Sequence, residues 1–283
     1  MQKNGSESLN YLTIGHLTKD VLDHGTALGG TAAYATLTAD AYGLRTALVT
    51  AWNSPDLPEE MCGIQAHIKH SDAATTFKNI DTASGRKQYI HHTAHILTSE
   101  DIPDRFLDAD ILHLGPVAQE VDPAISRLFP NAFIGITPQG WMRRWDSSGL
   151  VSPCEWGPPE DLLARADAVV FSVEDVSGDE DFISNLSHKT GVLAITEGYL
   201  GTRVYWHGDV RAFRAPDVPL ADATGAGDVF AAVFFIRLRE TMDPWSAGQL
   251  AVKVASNSVT RPGLAGIPSI HEIQSLMVET IKR

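Results

Sequence analysis

Short apolar runs recur along the chain and alternate with stretches of helical period. Tyr11 to Ile14, Ala47 to Thr50, Ile111 to Leu114, Phe133 to Thr137, Ala168 to Phe171 and Val192 to Thr196 are each mostly apolar, without a polar residue at every second position. Strands buried on both faces read this way, so a mostly parallel sheet is expected. Between them the pattern predicts helices over Thr31 to Tyr42, ending at Gly43, over Pro123 to Leu128, and over Asp181 to Thr190, ending at Gly191. A glycine just past a periodic stretch supplies the left-handed residue that closes a helix. The expected class is therefore α/β, a parallel sheet flanked by helices.

Two segments break this rhythm. Thr75 to Ile80 and Gln88 to His92 flank Thr82-Ala83-Ser84-Gly85, and Val204 to Trp206 and Val210 to Phe213 flank His207-Gly208-Asp209, both hairpin patterns. The first is read either as a sheet edge or as a lid over a ligand cleft. The last third is helical, over Gly227 to Arg239, Pro244 to Thr260 and a final helix opened by the capping box Ser269-Ile270-His271-Glu272. On that helix Ile270, Ile273, Met277 and Ile281 share one face. No repeat or low-complexity linker divides the chain; Ser152-Pro153 through Pro158-Pro159 reads as a loop between sheet halves. One domain over residues 1–283 is expected, with a small lid element around 75–95.

Composition narrows the chemistry. The 283 residues are 43% hydrophobic and 20% charged, enough apolar surface for a sizeable core. A net charge of −13 repels a phosphate backbone, so nucleic acid is not an expected partner. An anionic ligand would need a local device, such as backbone N–H groups or a divalent metal. Cys62 and Cys154 form no C-x-x-C pair, Met1 to Asn10 is polar, and the apolar run Val229 to Ile236 is far short of a membrane span. A cytoplasmic protein with no membrane partner is expected. His91, His92 and His95 lack a carboxylate at metal-ligand spacing and read as structural.

The segment that answers the charge problem is Asp222-Ala223-Thr224-Gly225-Ala226-Gly227-Asp228, followed at once by the apolar helix from Val229. Glycines ahead of a helix N-terminus let unpaired N–H groups close on an anion. A carboxylate beside that nest suits attack of a hydroxyl on phosphorus: Asp228 takes the proton while Gly225, Ala226 and Gly227 neutralise the phosphoryl. The plain alternative is a glycine turn with Asp228 as a helix cap.

Asp222 to Asp228 resembles the D-T-x-G-A-G-D signature of the ribokinase, or PfkB, family of carbohydrate kinases. Ile14-Gly15-His16-Leu17-Thr18-Lys19-Asp20 is similar to that family's first strand with its sugar-contacting acid, and Gly29-Gly30 to its N-terminal glycine pair. The resemblance implies a ribokinase-like three-layer α/β/α sandwich with a mostly parallel central sheet, and ATP and Mg²⁺ as cofactors. It makes Asp228 the catalytic base, with Asp20, Gly29 and Gly30 at the acceptor's hydroxyls. Thr196-Glu197-Gly198-Tyr199-Leu200-Gly201 resembles the family's T-x-G-x-x-G nucleotide loop, although a strand-to-strand turn reads the same way. By the same resemblance Thr196, Gly198, Gly201, Thr224 and Asn257 are nucleotide contacts. Asp175, in Ser172-Val173-Glu174-Asp175, stands where the family's N-x-x-E motif carries its magnesium-organising acid, and Ala223 replaces the usual threonine.

The interval from Asp20 to Gly29 is too short for the lid hairpin of ribokinase itself, so a reduced β-hairpin lid is expected. The family's D-x-N-x-R is not reproduced in Thr137-Pro138-Gln139-Gly140-Trp141-Met142-Arg143, which resembles the inositol-kinase-like branch instead. Gln139 and Arg143 are the acceptor-pocket candidates there, and a myo-inositol-like cyclitol the implied acceptor, for a monomer or homodimer. A nucleoside kinase of the same family, and a sugar- or nucleotide-binding homologue without turnover, stay open. The absence of G-x-G-x-x-G after the first strand and of G-x-x-x-x-G-K-[ST] anywhere excludes a Rossmann dehydrogenase and a P-loop kinase.

Overall fold

The computed structural model describes residues 10–82 and 85–277, with the side chains of 81, 82, 85 and 86 excepted. Met1 to Leu9, Ala83 and Ser84 of the expected hairpin loop, and Ile281 of the expected helical face lie outside the described residues. In chain order come β1 (Tyr11–Ile14), β2 (Thr18–Val21), β3 (Thr26–Gly29), α1 (Thr31–Ala41), β4 (Thr46–Trp52), β5 (Gln65–His70), β6 (Thr75–Thr82) and β7 (Gly85–His92). The middle holds β8 (Ile111–Leu114), β9 (Phe133–Ile136), β10 (Arg143–Trp145), β11 (Val151–Pro153), α2 (Glu160–Arg165), β12 (Ala168–Ser172), α3 (Glu180–Ser187) and β13 (Val192–Thr196). The chain then runs through β14 (Thr202–Trp206), β15 (Asp209–Phe213), α4 (Ala226–Thr241), α5 (Pro244–Ser258) and α6 (Ile270–Met277).

Among the described residues, nine strands form the central sheet in the order β15-β14-β13-β12-β9-β8-β1-β4-β5. All pairings are parallel from β5 to β13, and the β14–β15 hairpin adds the antiparallel edge. Both faces are covered, which is why the strands read as mostly apolar runs. Tyr11, Ile111, Phe133, Ala168 and Val192 pack with α1, α4 and α5 on one face, while Leu12, Leu112, Ile134, Val169 and Leu193 face α2 and α3 on the other.

The expected strands appear with ends within three residues, as do α1 with Gly43 left-handed behind it, α4, α5 and the Ser269–Glu272 capping box. Three expectations are corrected. Pro123–Leu128 is a 3₁₀ helix rather than an α-helix. The helix expected to run to Thr190 stops at Ser187, and Gly191 is not left-handed; its α-carbon instead passes close to the Asp167 carbonyl. The third concerns the lid: the interval judged too short for a hairpin does fold as one, β2 against β3, and β2 pairs in parallel with β6 of the longer hairpin. The lid is thus a four-stranded sheet, β3-β2-β6-β7, not a lone hairpin. Residues 18–29 escaped notice because Thr-Lys-Asp-Val and Thr-Ala-Leu-Gly are too short to show a period.

Phe235 of α4 lies flat on β9 at Gly135, where an added Cβ would sit 2.5 Å from the ring. Gly135→Ala should therefore force a ring buried on every side to move, at a cost of roughly 1–3 kcal/mol. Denaturant unfolding should show the midpoint falling with an unchanged slope.

Candidate active site

The site forms where the loops leaving β1, β8, β9 and β12 at their C-terminal ends meet the N-termini of α1 and α4, the crevice that open parallel sheets offer to ligands. The α4 end is built by Gly225, which caps the helix in a left-handed conformation (φ 77°, ψ −4°). A Cβ there would lie 2.2 Å from the Tyr34 ring, so only glycine lets the turn pack against α1. Asp222 fixes the approach: one carboxylate oxygen accepts from the Thr224 N–H and the other from the Gly263 N–H, each at 2.9 Å. The Asp222 N–H in turn donates to Val259 O, so the turn is tied to the end of α5.

Among the described residues, no protein acceptor takes the N–H groups of Gly225, Gly227 or Asp228. The Ala226 N–H, expected in the same nest, instead closes the turn on Ala223 O at 3.2 Å, so the free donors are those around it. Nothing lies within 4 Å of the place a Cβ would take on Gly227, leaving the helix end open to a ligand. A helix N-terminus with open, unpaired N–H groups attracts an anion.

Asp228 stands in the first turn of α4, half-buried, and its Oδ1 accepts a 2.6 Å bond from Thr31 Oγ1 at the start of α1. Burial lifts its pKa from the ordinary aspartate value to about 6; the neighbouring Asp175 adds to the rise, while the Thr31 hydroxyl and the Arg143 guanidinium oppose it. Burial thus outweighs the neighbours that favour the charged form. At pH 7 the ionised form still prevails by about tenfold, which suits a proton acceptor.

Arg143 supplies the positive charge. Its guanidinium is felt by Asp175, Asp228, Glu120 and Asp20, donates to Val117 O at 3.2 Å, and lies 5.7 Å from the centre of the Phe77 ring of the lid. Desolvation lowers its pKa, those four carboxylates oppose the change, and the group remains a cation at any working pH. The Gln119 amide donates to the Arg143 carbonyl and anchors the arm. Asp175, at the end of β12, accepts from the Ser172 N–H at 2.9 Å and from the Gln139 amide at 3.2 Å. On the lid side, Asp20 Oδ2 would be 2.5 Å from a Cβ on Gly29, and His16 O 2.6 Å from one on Gly30 (φ 87°). The glycine pair is what lets Asp20 and the β1–β2 turn crowd against the start of α1.

The structure brings Asp228, Asp175 and Asp20 within the electrostatic reach of Arg143, with Gln139 bonded to Asp175 and Gly29 and Gly30 packed against Asp20 and His16. The nucleotide candidates lie in separate surroundings. Gly201 is pressed onto the Phe213 carbonyl, 2.0 Å from an added Cβ, at the β13–β15 corner. Asn257 donates its amide to Glu272 at 3.1 Å, beside the Arg261–Glu272 ion pair, so its side chain is engaged in holding α6. Thr196 and Gly198 border a loop whose Tyr199 and Leu200 are exposed, and Thr224 is fixed by its N–H to Asp222. Among the described residues no group of three or more His, Cys, Asp or Glu side chains gathers as a metal cage. A lone acidic oxygen with bound phosphates and waters is nevertheless how Mg²⁺ is commonly held.

Two residues of the site were not found by sequence reading. Thr31 had one usable signal, a hydroxyl residue directly after Gly29-Gly30 at a helix start. Glu120 had none: its buried carboxylate accepts from the N–H groups of its near neighbours Val117 and Ala118 and from that of His16, which only the fold brings to it.

Comparison with known proteins agrees with this geometry. The model of the pfkB family carbohydrate kinases matches residues 166–270. A fructokinase of Klebsiella pneumoniae is 31% identical over 151 residues, 48% of this chain and 48% of that one, so the chain aligns with about half the length of this curated relative. Among solved structures, a pyrophosphate-dependent kinase in the ribokinase family, complexed with a pyrophosphate analog and myo-inositol, superposes with a TM-score of 0.78 at 19% identity, over 93% of this chain and 99% of that one. Ribokinase of Thermotoga maritima gives 0.74 at 19% identity, over 95% and 99%. The fold is ribokinase-like, and the resemblance to the PfkB carbohydrate kinases is shown, on the sequence side within residues 166–270.

The raised pKa makes a two-sided prediction. For an acid bound to its proton more tightly when folded, the cost of ionisation sets in as pH rises past about 4 and is complete above about 6. Asp228→Asn should therefore raise the unfolding free energy at pH 7.5, by on the order of 1–2 kcal/mol after discounting solvent contact, and leave it little changed at pH 4, as denaturant unfolding at the two pH values would show. Thr31→Val removes a bond to the ionised carboxylate, so any activity limited by Asp228 should lose its acid limb at a pH above that of the wild type.

Proposed function

We propose that the chain is a sugar kinase of the PfkB type, transferring the terminal phosphoryl group of ATP to a hydroxyl of a small sugar or cyclitol. The observation that carries this reading is one carboxylate, Asp228, pinned by Thr31 beside open N–H groups of Gly225 and Gly227 and within the field of Arg143. An acceptor held by Asp20 against the Gly29–Gly30 backbone presents a hydroxyl to Asp228. Asp228 takes its proton, the oxygen bonds to the γ-phosphorus, and the bond from that phosphorus to the bridging oxygen breaks to release ADP. The free N–H groups of the nest and the guanidinium meet the charge that spreads over the transferred group. Asp175 would hold Mg²⁺ through water, and bound Mg²⁺ would neutralise donor phosphates.

The charge around the cleft favours a neutral acceptor, since Asp20, Glu120, Asp175 and Asp228 face a single Arg143. With the solved relative that holds myo-inositol and the curated fructokinase, this supports a cyclitol or hexose, myo-inositol first. Pyrophosphate is a second donor reading, favoured by that same relative. Ala223 and Ser172 motivate the binding-only homologue, but the pinned, proton-accepting Asp228 argues for turnover. No helix among the described residues is long and apolar enough to cross a membrane.

The test is donor consumption over a panel of cyclitols, hexoses, pentoses and nucleosides, with Mg-ATP and Mg-pyrophosphate in parallel. Myo-inositol or a hexose should stimulate turnover, and Asp228→Asn should lower kcat by about a hundredfold or more with little change in acceptor KM. Stimulation by nucleosides alone would shift the assignment to nucleoside kinases. Acceptor binding by calorimetry without turnover from either donor would overturn phosphotransfer.

A further inference from the structure

Every passage of the chain between the central sheet and the lid crosses one narrow junction: Gly15 to Thr18, Gly29 to Thr31, Ser71 to Thr75 and His92 to Leu97. At its centre sits the fully buried side chain of His16. Its Nδ1 lies 2.7 Å from Thr75 Oγ1, where β6 enters the lid, and its Nε2 lies 2.9 Å from His95 O, where β7 has left it. A carbonyl only accepts, so Nε2 carries the proton and Nδ1 is a bare acceptor. The Thr75 hydroxyl must then donate to Nδ1, and its oxygen is left to accept the Ala94 N–H, which it does at 2.9 Å. The loop is completed by Ser71 Oγ accepting the His95 N–H at 3.2 Å. Burial lowers the pKa of His16 and keeps the ring in the neutral state this pattern requires.

The backbone of the same residue faces the site. The His16 N–H donates to the buried Glu120, which also gathers the Val117 and Ala118 N–H groups under Arg143, and His16 O abuts Gly30. We propose that His16, through its bond to Thr75, is a positioning residue that sets the lid, and with it Asp20 and Phe77, at its working distance from Asp228. It touches neither acceptor nor donor on this view. The inference rests on the phosphotransfer reading for its kinetic consequence but not for its structural one. Asp20 and Phe77 ride on β2 and β6, whereas Asp228 and its nest ride on α4. Loosening the junction should therefore weaken the acceptor's grip and spare the donor's.

Thr75→Val keeps the shape of the buried side chain and removes the hydroxyl, orphaning both Nδ1 of His16 and the Ala94 N–H; Thr75→Ser restores the hydroxyl and serves as the rescue. Two readouts are taken on both variants. Hydrogen exchange in the ligand-free protein should be at least tenfold faster at amides of 18–29 and 75–82 in Thr75→Val, within twofold of wild type in Thr75→Ser, and unchanged at β8, β9 and β12. Kinetics with the acceptor found active should show its KM raised tenfold or more in Thr75→Val, with donor KM and kcat within about twofold and recovery in Thr75→Ser.

A merely structural threonine would lower the amount of folded enzyme, and so kcat, with no split between the two KM values, and that result would overturn the proposal. So would lid exchange that is the same in Thr75→Val and wild type. If lid exchange quickens and is rescued while no acceptor is phosphorylated by either protein, the junction stands and it is the phosphotransfer reading that falls.

Discussion

The site depends on keeping one negative charge where water is scarce. Asp228 sits at a helix end that welcomes an anion, yet burial makes its ionised form costly, and the two effects are reconciled by a hydroxyl from α1 and a guanidinium from the β9–β10 arm. Desolvation is the stronger term, so the carboxyl is poised to exchange a proton near neutral pH. The same neighbours that hold it are those that must be assembled from distant parts of the chain. Chemistry and fold are therefore one problem here: Thr31 and Asp228 are 197 residues apart in sequence and 2.6 Å apart between oxygens.

Around that pair the charges form a layered arrangement. Arg143 stands among four carboxylates, but they are not equivalent, because Glu120 is saturated by backbone N–H groups and Asp175 is held by Ser172 and Gln139. Glu120 works as a clamp on the loops that follow β1 and β8, Asp175 as an acid at the mouth of β12, and Asp20 as the lid's contribution. On the proposed reading, such an environment suits a neutral polyol better than an acid and leaves the α4 end, with its open N–H groups, to the anionic donor. The lid matters because it carries Asp20 and the Phe77 ring against which Arg143 rests.

Much of the fold was legible from residue patterns, for identifiable reasons. Tyr11–Ile14 and Ile111–Leu114 are buried on both faces, and such strands leave short, mostly apolar runs. His207-Gly208 takes positive φ at both positions, the turn chemistry that a two-residue hairpin needs. Where local signals were weak, expectations failed: the lid strands β2 and β3 carry no period, and Gly191 proved to be a close-packing glycine rather than a helix stop. The nest at Gly225 to Asp228 was readable because its function is local, a backbone turn followed by a helix start. The close approach of Gly201 to the Phe213 carbonyl and the bond from Asn257 to Glu272 were not, since neither leaves a local mark in the sequence.

By itself, then, the chain's order of apolar runs and glycine turns determined the class, a helix-flanked parallel sheet, and the glycine turn that leads into α4 and its aspartate, because burial on both faces and turn chemistry each leave a local mark in the sequence. Tertiary structure alone decided the protonation behaviour of Asp228, the reach of Arg143 into the cleft, the role of Glu120 and the wiring of His16 to the lid. Each of these is set by desolvation or by a partner a hundred or so residues away in several cases, and neither is encoded in the identity of the residue that feels it.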